Sequence, residues 1–474
     1  MSGGIILTEE QEKLVRFQPS GNLLIRGEPG SGKTTVLSAR AKWIDSLLSN
    51  GRLLFVTYNA ALVRYVRSLL DSAKCANDVT VSTFHDWCRD FARKLGVQVG
   101  REIKAEEREA YLKEILKELG PKWSGNHLAC QPISFWSQEI EWIFGQGIST
   151  LEDYCTRPRT GRGTAVQVRG DDRKFVWEVF ERYINLLESR GEHDIDNPAG
   201  LVRKAVEKNN GLFPESLQYD HVFVDEVQDF DLSWLLVLSP VAKVSLTLAG
   251  DLGQRIYRRY FTWKAAGIDV RGARSQRLTG TFRTTRQIMQ VATYVATNYD
   301  LQMNEDYIPP SIPNRDGPKV AKIERTTWWQ AQEAAARRAA ELARTHPNDT
   351  VVLAVQFNRQ LDDYCLRVRR QGCPADVAKG MELLPAPGKV IVTTYYQLKG
   401  LEFDHVVLTG LEDETMPEYY YSLPDSELPA EKEQYLRRLV YVAMTRAKKS
   451  VTLAGGSPFC RFFNDVPAAL FEML

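Results

Sequence analysis

The sequence predicts an α/β protein built on parallel sheets with helices on both faces, interrupted by a helical insertion. Three observations carry that prediction. Short apolar runs bounded by turn residues recur at 23–25, 53–56, 222–224, 246–249, 351–355, 390–392 and 406–408, the pattern of strands buried on both faces. Amphipathic stretches such as 36–48 and 60–70 lie between them, so strand and helix alternate as in doubly wound sheets. From about residue 94 to 208 the pattern turns helical, clearest over 106–119 and 175–189, and no strand is expected there.

At 474 residues the chain has room for about three domains of roughly 150 residues each. With 43% hydrophobic and 26% charged residues, it is neither mainly disordered, nor collagen-like, nor a disulfide scaffold. The 61 Lys and Arg nearly cancel 60 Asp and Glu, so any nucleic-acid site has to be local. Seven cysteines, at 75, 88, 130, 155, 365, 373 and 460, form no Cys-x-x-Cys pair, and the six histidines show no ligand spacing. Neither a disulfide framework nor a metal cluster is expected. The start has no basic leader followed by an apolar run, and no apolar stretch approaches the roughly 18 residues of a membrane span. The expectation is a soluble, reduced, cytoplasmic protein without a membrane partner. Residues 157–174 are rich in Arg and Gly and suggest a mobile basic loop or a solvated connector. A turn-rich connector at 308–318 precedes an Ala-rich helix over 328–344; a further helix is expected at 361–370 and another loop at 417–429.

Gly27-Glu-Pro-Gly30-Ser-Gly32-Lys33-Thr34-Thr35 follows an expected strand and opens an expected helix, the context in which this spacing forms a phosphate-binding loop. Glycines let backbone N–H groups close around phosphates, Lys33 reaches the terminal ones, and Thr34 offers a hydroxyl to Mg²⁺. Such a loop needs a carboxylate at a neighbouring strand tip. Asp220-His-Val-Phe-Val-Asp225-Glu226-Val-Gln228-Asp229 supplies it: Asp225 is placed to hold Mg²⁺, and Glu226 to take a proton from, or orient, the attacking water.

With these two segments the chain resembles the superfamily 1 helicases of the UvrD/Rep type, and the resemblance runs over most of the chain in the right order. It implies two RecA-like P-loop domains, an ATP-hydrolysing DNA helicase, and ATP with Mg²⁺ as its cofactors. Leu7-Thr-Glu-Glu-Gln11 is similar to the family's adenine-reading motif, which would put the Gln11 amide on the base edge. Thr57-Tyr58-Asn59 and Thr83-Phe84-His85 resemble single-strand contact motifs, though core packing is the other reading of each. Gly250-Asp-Leu-Gly-Gln254-Arg-Ile-Tyr257 resembles the third motif, where the glutamine faces the γ-phosphate and the tyrosine faces nucleic acid. Thr281-Phe282-Arg283 resembles the fourth, with Phe282 in place of an adenine-stacking tyrosine and Arg283 as an arginine finger. Thr394-Tyr-Tyr396-Gln-Leu-Lys-Gly-Leu-Glu402-Phe is similar to the fifth, with Tyr396 where the family has histidine and Glu402 near the ribose. Val442-Ala-Met-Thr-Arg446-Ala resembles the sixth, with Arg446 as a second γ-phosphate arginine.

From Arg255 to Arg286 nine Lys or Arg stand against the single acid Asp269, with Tyr257, Tyr260, Phe261 and Trp263 interleaved around Arg258. That composition suits a strand channel, where cations track phosphates and rings stack on bases; a solvated basic rim over buried aromatics is the alternative. The first motor domain is expected at 1–95 and 206–277, a helical accessory insertion at 96–205, and the second motor domain at 278–474. Between Arg283 and Lys389 little room remains for the second accessory subdomain usual in this family. The resemblance implies 3′ to 5′ movement on single-stranded DNA or a 3′-tailed duplex. A nucleic-acid-stimulated ATPase switch controlling a partner such as a nuclease, in DNA repair or antiviral defence, is the second expectation.

Overall fold

The computed structural model describes residues 7–27, 30–58, 60–71, 77–159, 162, 166–251, 261–279, 284–296, 311–378, 386–398, 401–413 and 429–474. The chain opens α1 (Glu9–Val15), β1 (Leu23–Gly27), α2 (Lys33–Leu47), β2 (Arg52–Thr57), α3 (Ala60–Asp71), β3 (Asp78–Thr83) and α4 (Phe84–Lys94). A second run holds β4 (Arg101–Ile103), α5 (Ala105–Leu119), α6 (Ile133–Gln146), α7 (Leu151–Thr156), α8 (Asp171–Arg190), β5 (Glu192–Asp194) and α9 (Pro198–Lys208). Then come β6 (Tyr219–Val224), α10 (Leu232–Leu238), β7 (Ala242–Gly250) and β8 (Ser275–Leu278). The remainder is α11 (Arg286–Ala296), β9 (Val320–Arg325), α12 (Trp328–Thr345), β10 (Val351–Val355), α13 (Leu361–Arg370), β11 (Ala375–Val377), β12 (Val390–Thr394), β13 (Phe403–Thr409), α14 (Pro429–Met444), β14 (Ala447–Gly456) and β15 (Phe471–Met473).

Two parallel sheets result, in the orders β3-β2-β6-β7-β1-β8 and β11-β12-β10-β13-β14-β9-β15. The period-2 alternation of each strand splits its apolar residues between two cores. Leu54, Val56, Val222 and Val224 face α4, α9 and α10, while Leu53, Phe55 and Phe223 face α2 and α3. In the second sheet Val352, Ala354 and Val406 face α11 and α14, while Val351, Leu353 and Val407 face α12 and α13. The α/β, parallel-sheet prediction holds. Between 284 and 389 every described element either belongs to the second sheet or packs on its two cores.

The helical run has its own aromatic core, with Trp136, Tyr154, Phe175 and Tyr183 fully buried. Three expectations are corrected here. A parallel pair, β4 with β5, sits where no strand was expected; three residues each, both strands are too short to show a period. The helix α9 lies mostly within 96–205, yet it packs on the core of the first sheet beside α4. The Arg-Gly segment is not a solvated connector throughout: Gln167, Arg169 and Gly170 are exposed, but Arg159 and Arg162 are pinned to the helical core. Arg159 Nε and Arg162 Nε lie 3.0 and 2.8 Å from Glu139, which is fully buried on α6, and Tyr154 donates to the same carboxylate at 2.7 Å. A buried carboxylate recruits these cations because a charge out of water needs partners. Arg108 of α5 plays the converse part, meeting Asp194 at 2.9 Å, Asp196 at 2.8 Å and Ser137 at 2.9 Å.

Another buried cation fixes α1 to the first sheet. Arg40 of α2 is fully buried and donates to Val15 O at 3.1 Å, Phe17 O at 2.6 Å, Gln18 O at 2.8 Å and Thr247 Oγ1 at 3.3 Å. The carbonyls that end α1 carry the negative pole of the helix, so the guanidinium is held by main-chain dipoles. Burial lowers its pKa to about 10, which leaves it charged at neutral pH.

Two outcomes follow. Arg40→Ala strands these carbonyls and is expected to cost about 3 kcal/mol, read from the urea midpoint of the full chain. Glu139→Gln leaves two buried guanidiniums unpaired and is expected to cost about 3–5 kcal/mol. Burial alone would raise the Glu139 pKa, but Arg162 and Arg159 outweigh it and hold the carboxyl at about 2 against its ordinary 4.5. The folded value is the lower one, so this stabilisation is complete above pH 4.5 and is lost as the pH falls towards 2. Tryptophan fluorescence should show wild type losing stability across that window, and the Gln variant should lack this component.

Candidate functional site

The phosphate loop joins β1 to α2. At Gly27 a Cβ would lie 2.5 Å from Ser31 Oγ and 2.9 Å from the Lys33 stem, so only glycine lets the loop fold back on its strand. Gly32, at φ 83°, precedes α2 in the left-handed region and brings no side-chain cap, which leaves the first N–H groups of the helix for another acceptor. Gly30 is left-handed as well, at φ 77°. Lys33 is 8% exposed and its Nζ donates to Gly27 O at 2.9 Å. Ser31 Oγ is buried in the loop without a hydrogen-bond partner among the described residues. An uncapped helix start, an orphan hydroxyl and a buried ammonium fit a triphosphate. Thr35 follows, half-buried in the first turn of α2.

Thr34 and Asp225, 191 positions apart, meet at the loop: Thr34 Oγ1 donates to Asp225 Oδ2 at 2.6 Å. Asp225 directly follows β6, fully buried, with its N–H on Val56 O of β2 at 3.0 Å. Burial and then the adjacent Glu226 carboxylate raise its pKa to about 7, against the pull of Thr34 and Lys33. A divalent cation would supply the positive charge this carboxylate lacks, so the donor pair fits Mg²⁺. Glu226 takes a left-handed backbone, φ 54°, rare for a residue with a side chain and a mark of a functional turn. Gln228, fully buried, holds that turn. Its amide N–H donates to the Glu226 carboxylate and its Oε1 accepts from Asp251 N at 3.0 Å. Gly250 leaves the room, since a Cβ there would lie 2.6 Å from Gln228 Oε1.

Gln11 is 6% exposed in the first turn of α1. Its Oε1 accepts from Thr8 N at 3.0 Å in a capping box, and its Nε2 donates to Ser31 O at 3.1 Å, so the amide lies on the phosphate loop itself. The neighbouring Glu10 accepts from Thr279 N at 3.1 Å and Thr279 Oγ1 at 3.0 Å, which ties α1 to the segment leaving β8.

The aromatic set gathers on Trp234 of α10. Phe84 stacks on its ring at 4.3 Å, Tyr58 at 5.9 Å, and His85 meets it edge-on at 5.1 Å. Tyr58 and His85 keep exposed surface; Phe84 has none, so its expected strand contact is corrected to core packing. The Thr83 hydroxyl is spent capping α4, accepting from Asp86 N at 3.1 Å. Trp263 is half-buried, edge-on to Phe261 at 5.1 Å. Near it Arg271 pairs with Asp269 at 2.9 Å, and Arg274 donates to Ser20 O and Asn22 O, so part of the basic stretch serves the fold.

On the second sheet Thr394 ends β12, 5% exposed, and the Tyr396 hydroxyl in the following turn hydrogen-bonds to the Tyr435 hydroxyl. Glu402 and Arg446 immediately precede the interior strands β13 and β14, at the opposite end of the strands, where Phe403 N donates to Arg446 O at 3.0 Å. Lys448 Nζ is 3.2 Å from Glu402; Arg446 is 1% exposed with its Nε on Val442 O at 3.2 Å. Asn59, Gln254, Tyr257, Arg258, Phe282 and Arg283 lie outside the described residues. Sequence reasoning passed over Arg40, Gln228, Trp234 and Glu10. Gln228 alone had a signal, as the polar residue inside the acidic segment.

Among the described residues no helix is long and apolar enough to cross a membrane. The family model for the UvrD/REP helicase N-terminal domain matches residues 7–270, and that for the UvrD-like helicase C-terminal domain matches 377–455. DNA helicase IV of Escherichia coli K12 is 23% identical, covering 94% of this chain and 69% of that protein. A probable DNA helicase of Mycoplasma pneumoniae is 22% identical, covering 95% and 83%. The ATP-dependent DNA helicase PcrA of Bacillus subtilis is 26% identical over 59% of this chain, which spans 38% of PcrA's length. The first family model spans more than half of the chain, in the segment that holds the phosphate loop and its facing carboxylates, and the chain therefore belongs to the UvrD/Rep-type superfamily 1 helicases.

Proposed function

We propose that this chain is an ATP-driven motor that moves 3′ to 5′ along single-stranded DNA. The single observation that supports it most is the buried Thr34–Asp225 contact beside Lys33 and Glu226. In this reading 1–95 and 206–277, together with α9, form the first motor domain, the rest of 96–205 the accessory insertion and 278–474 the second motor domain. Lys33 would exchange its carbonyl partner for the terminal phosphates, and Thr34 and Asp225 would hold Mg²⁺, which neutralises phosphate charge when bound. Glu226, aimed by Gln228, orients the attacking water and takes its proton. Gln11 reads adenine, Phe282 stacks on it, Gln254 senses the γ-phosphate, and Glu402 approaches the ribose. Arg283 and Arg446 come from the other motor domain, so hydrolysis requires closure of one on the other. Tyr58, Asn59, His85, Tyr257, Arg258, Trp263, Thr394 and Tyr396 serve the strand, by stacking or by contact with phosphates. Net movement needs each nucleotide state to favour a different grip.

A second reading is a DNA-stimulated ATPase switch that controls a partner such as a nuclease, in repair or antiviral defence, without separating strands. Between 284 and 389 no described element lies outside the second sheet and its cores, which favours it.

Single-stranded DNA is expected to stimulate ATP hydrolysis by the purified chain, and a 3′-tailed duplex to be unwound; stimulation without unwinding would favour the switch. Lys33→Ala should lower kcat by at least about 10²-fold in a phosphate-release assay. Tyr58→Ala should raise the DNA concentration for half-stimulation about tenfold and leave basal hydrolysis unchanged, as loss of one stacked base predicts.

A further inference from the structure

Far from the phosphate loop in sequence, the second sheet gathers a set of donors that the proposed motor does not use. His346 ends α12, Asp349 lies in the loop before β10, and His405 points from β13, with one ligand atom from each within 4.8 Å of the others. His405 is buried, Asp349 half-buried and His346 exposed. The His405 Nε2–Asp349 Oδ2 distance is 3.0 Å and the two imidazoles stack at 4.8 Å. The His405–Asp349 contact is a hydrogen bond, and because ligands of a tetrahedral ion lie roughly 3.3–3.6 Å apart, a small opening of it would admit an ion between the two donors.

The surroundings have the form of a built site. The other ring nitrogen of His405 is engaged by Ser450 Oγ at 2.7 Å, a hydrogen bond that fixes the ring, so that Nε2 would exchange its bond to Asp349 for the metal. Lys449 holds the second Asp349 oxygen at 2.6 Å and lies 3.3 Å from Asp404. Two carboxylates against one ammonium leave the cluster one negative charge before any ion binds. A register shift between β13 and β14 at Phe403/His405, of the kind a bulge produces, sends Lys448 to Glu402 and Lys449 to Asp349.

We propose that His346, Asp349 and His405 bind a divalent transition-metal ion, with water completing the shell, and that the ion clamps the end of α12 to β13 and β14. Two imidazoles and one carboxylate select Zn²⁺ or Co²⁺ over Mg²⁺.

The test titrates Co²⁺ and Zn²⁺ into the full chain in excess Mg²⁺, reading cobalt d–d absorbance, calorimetry and thermal midpoint. Wild type should bind one ion at micromolar affinity and gain about 2–4 °C. His346→Ala removes an exposed ligand from a helix end; its apo midpoint should match wild type and its affinity should fall at least about tenfold. His346→Ala binding the ion as tightly as wild type, or wild type binding none at micromolar concentrations, overturns the assignment. Thiolate-to-cobalt charge-transfer bands would place the ion on a cysteine and overturn it equally.

Discussion

The fold is organised around one expensive contact, the buried Asp225 carboxylate against the Thr34 hydroxyl. A carboxylate with no access to water is costly, and two hydrogen bonds, from Thr34 Oγ1 and Glu226 N, with one nearby ammonium offset only part of that, which is why its pKa rises to about 7. An apolar residue at the tip of β6 would make a more stable sheet. The arrangement is sustained because β6 and β1 flank β7 in a sheet whose strands are buried on both faces, so the strand tip cannot relax away from the loop. Chain topology serves the same end, since the helical insertion leaves after α4 and returns through α9, which packs beside α4 on the same core.

From that contact the geometry spreads in two directions along one segment. Towards the nucleotide, Glu226 is held in a left-handed backbone by Gln228, which also grips Asp251 at the start of the segment carrying Gln254. Towards the proposed strand surface, the same segment runs directly into α10, whose Trp234 underlies Tyr58 and His85. A side chain that answers to phosphate and a ring stack that would answer to bases thus share one short piece of backbone. In the proposed motor a displacement of the β6 tip would reach both, because packed aromatic stacks shift as units rather than deform continuously.

The inner strands β1, β2, β6, β7, β10, β12 and β13 were legible because strands buried on both faces announce themselves as apolar runs, unlike the inner strands β9 and β14, whose runs lysines and a glutamate break, and the helices over 361–370 and 328–344 followed from period and composition. The sheet edges were not. β3 (Asp-Val-Thr-Val-Ser-Thr), β8 (Ser-Gln-Arg-Leu), β11 and β15 are the outermost strands of their sheets, short or alternately polar, and carry no such run. The phosphate loop and Asp225 could be found because their chemistry demands a fixed local spacing. Arg40, Glu139 and the His346–Asp349–His405 group have no local spacing, and each acquires its meaning only when distant segments bring carbonyls, guanidiniums or a second imidazole within reach. The odd cysteine count and the scattered histidines were sound evidence against a sequence-local metal motif, and are silent about donors assembled across a sheet.

The second half of the chain meets the opposite problem to the first, because the residues proposed to reach the nucleotide must be rigid in their own domain yet able to approach another. Arg446 satisfies the first requirement: buried at the turn between α14 and β14, it has its Nε on a carbonyl of the preceding helix and its own carbonyl on the first N–H of β13. Such an arginine cannot swing out as a flexible surface finger would, so in the proposed motor its approach to a phosphate would require movement of the whole second sheet. Lys448 lies 3.2 Å from Glu402, within the same register shift that also carries Lys449 to Asp349 and Asp404. The two lysines carried through that irregularity thus reach two different acidic groups, Glu402 before β13 and the Asp349–Asp404 pair beside His405.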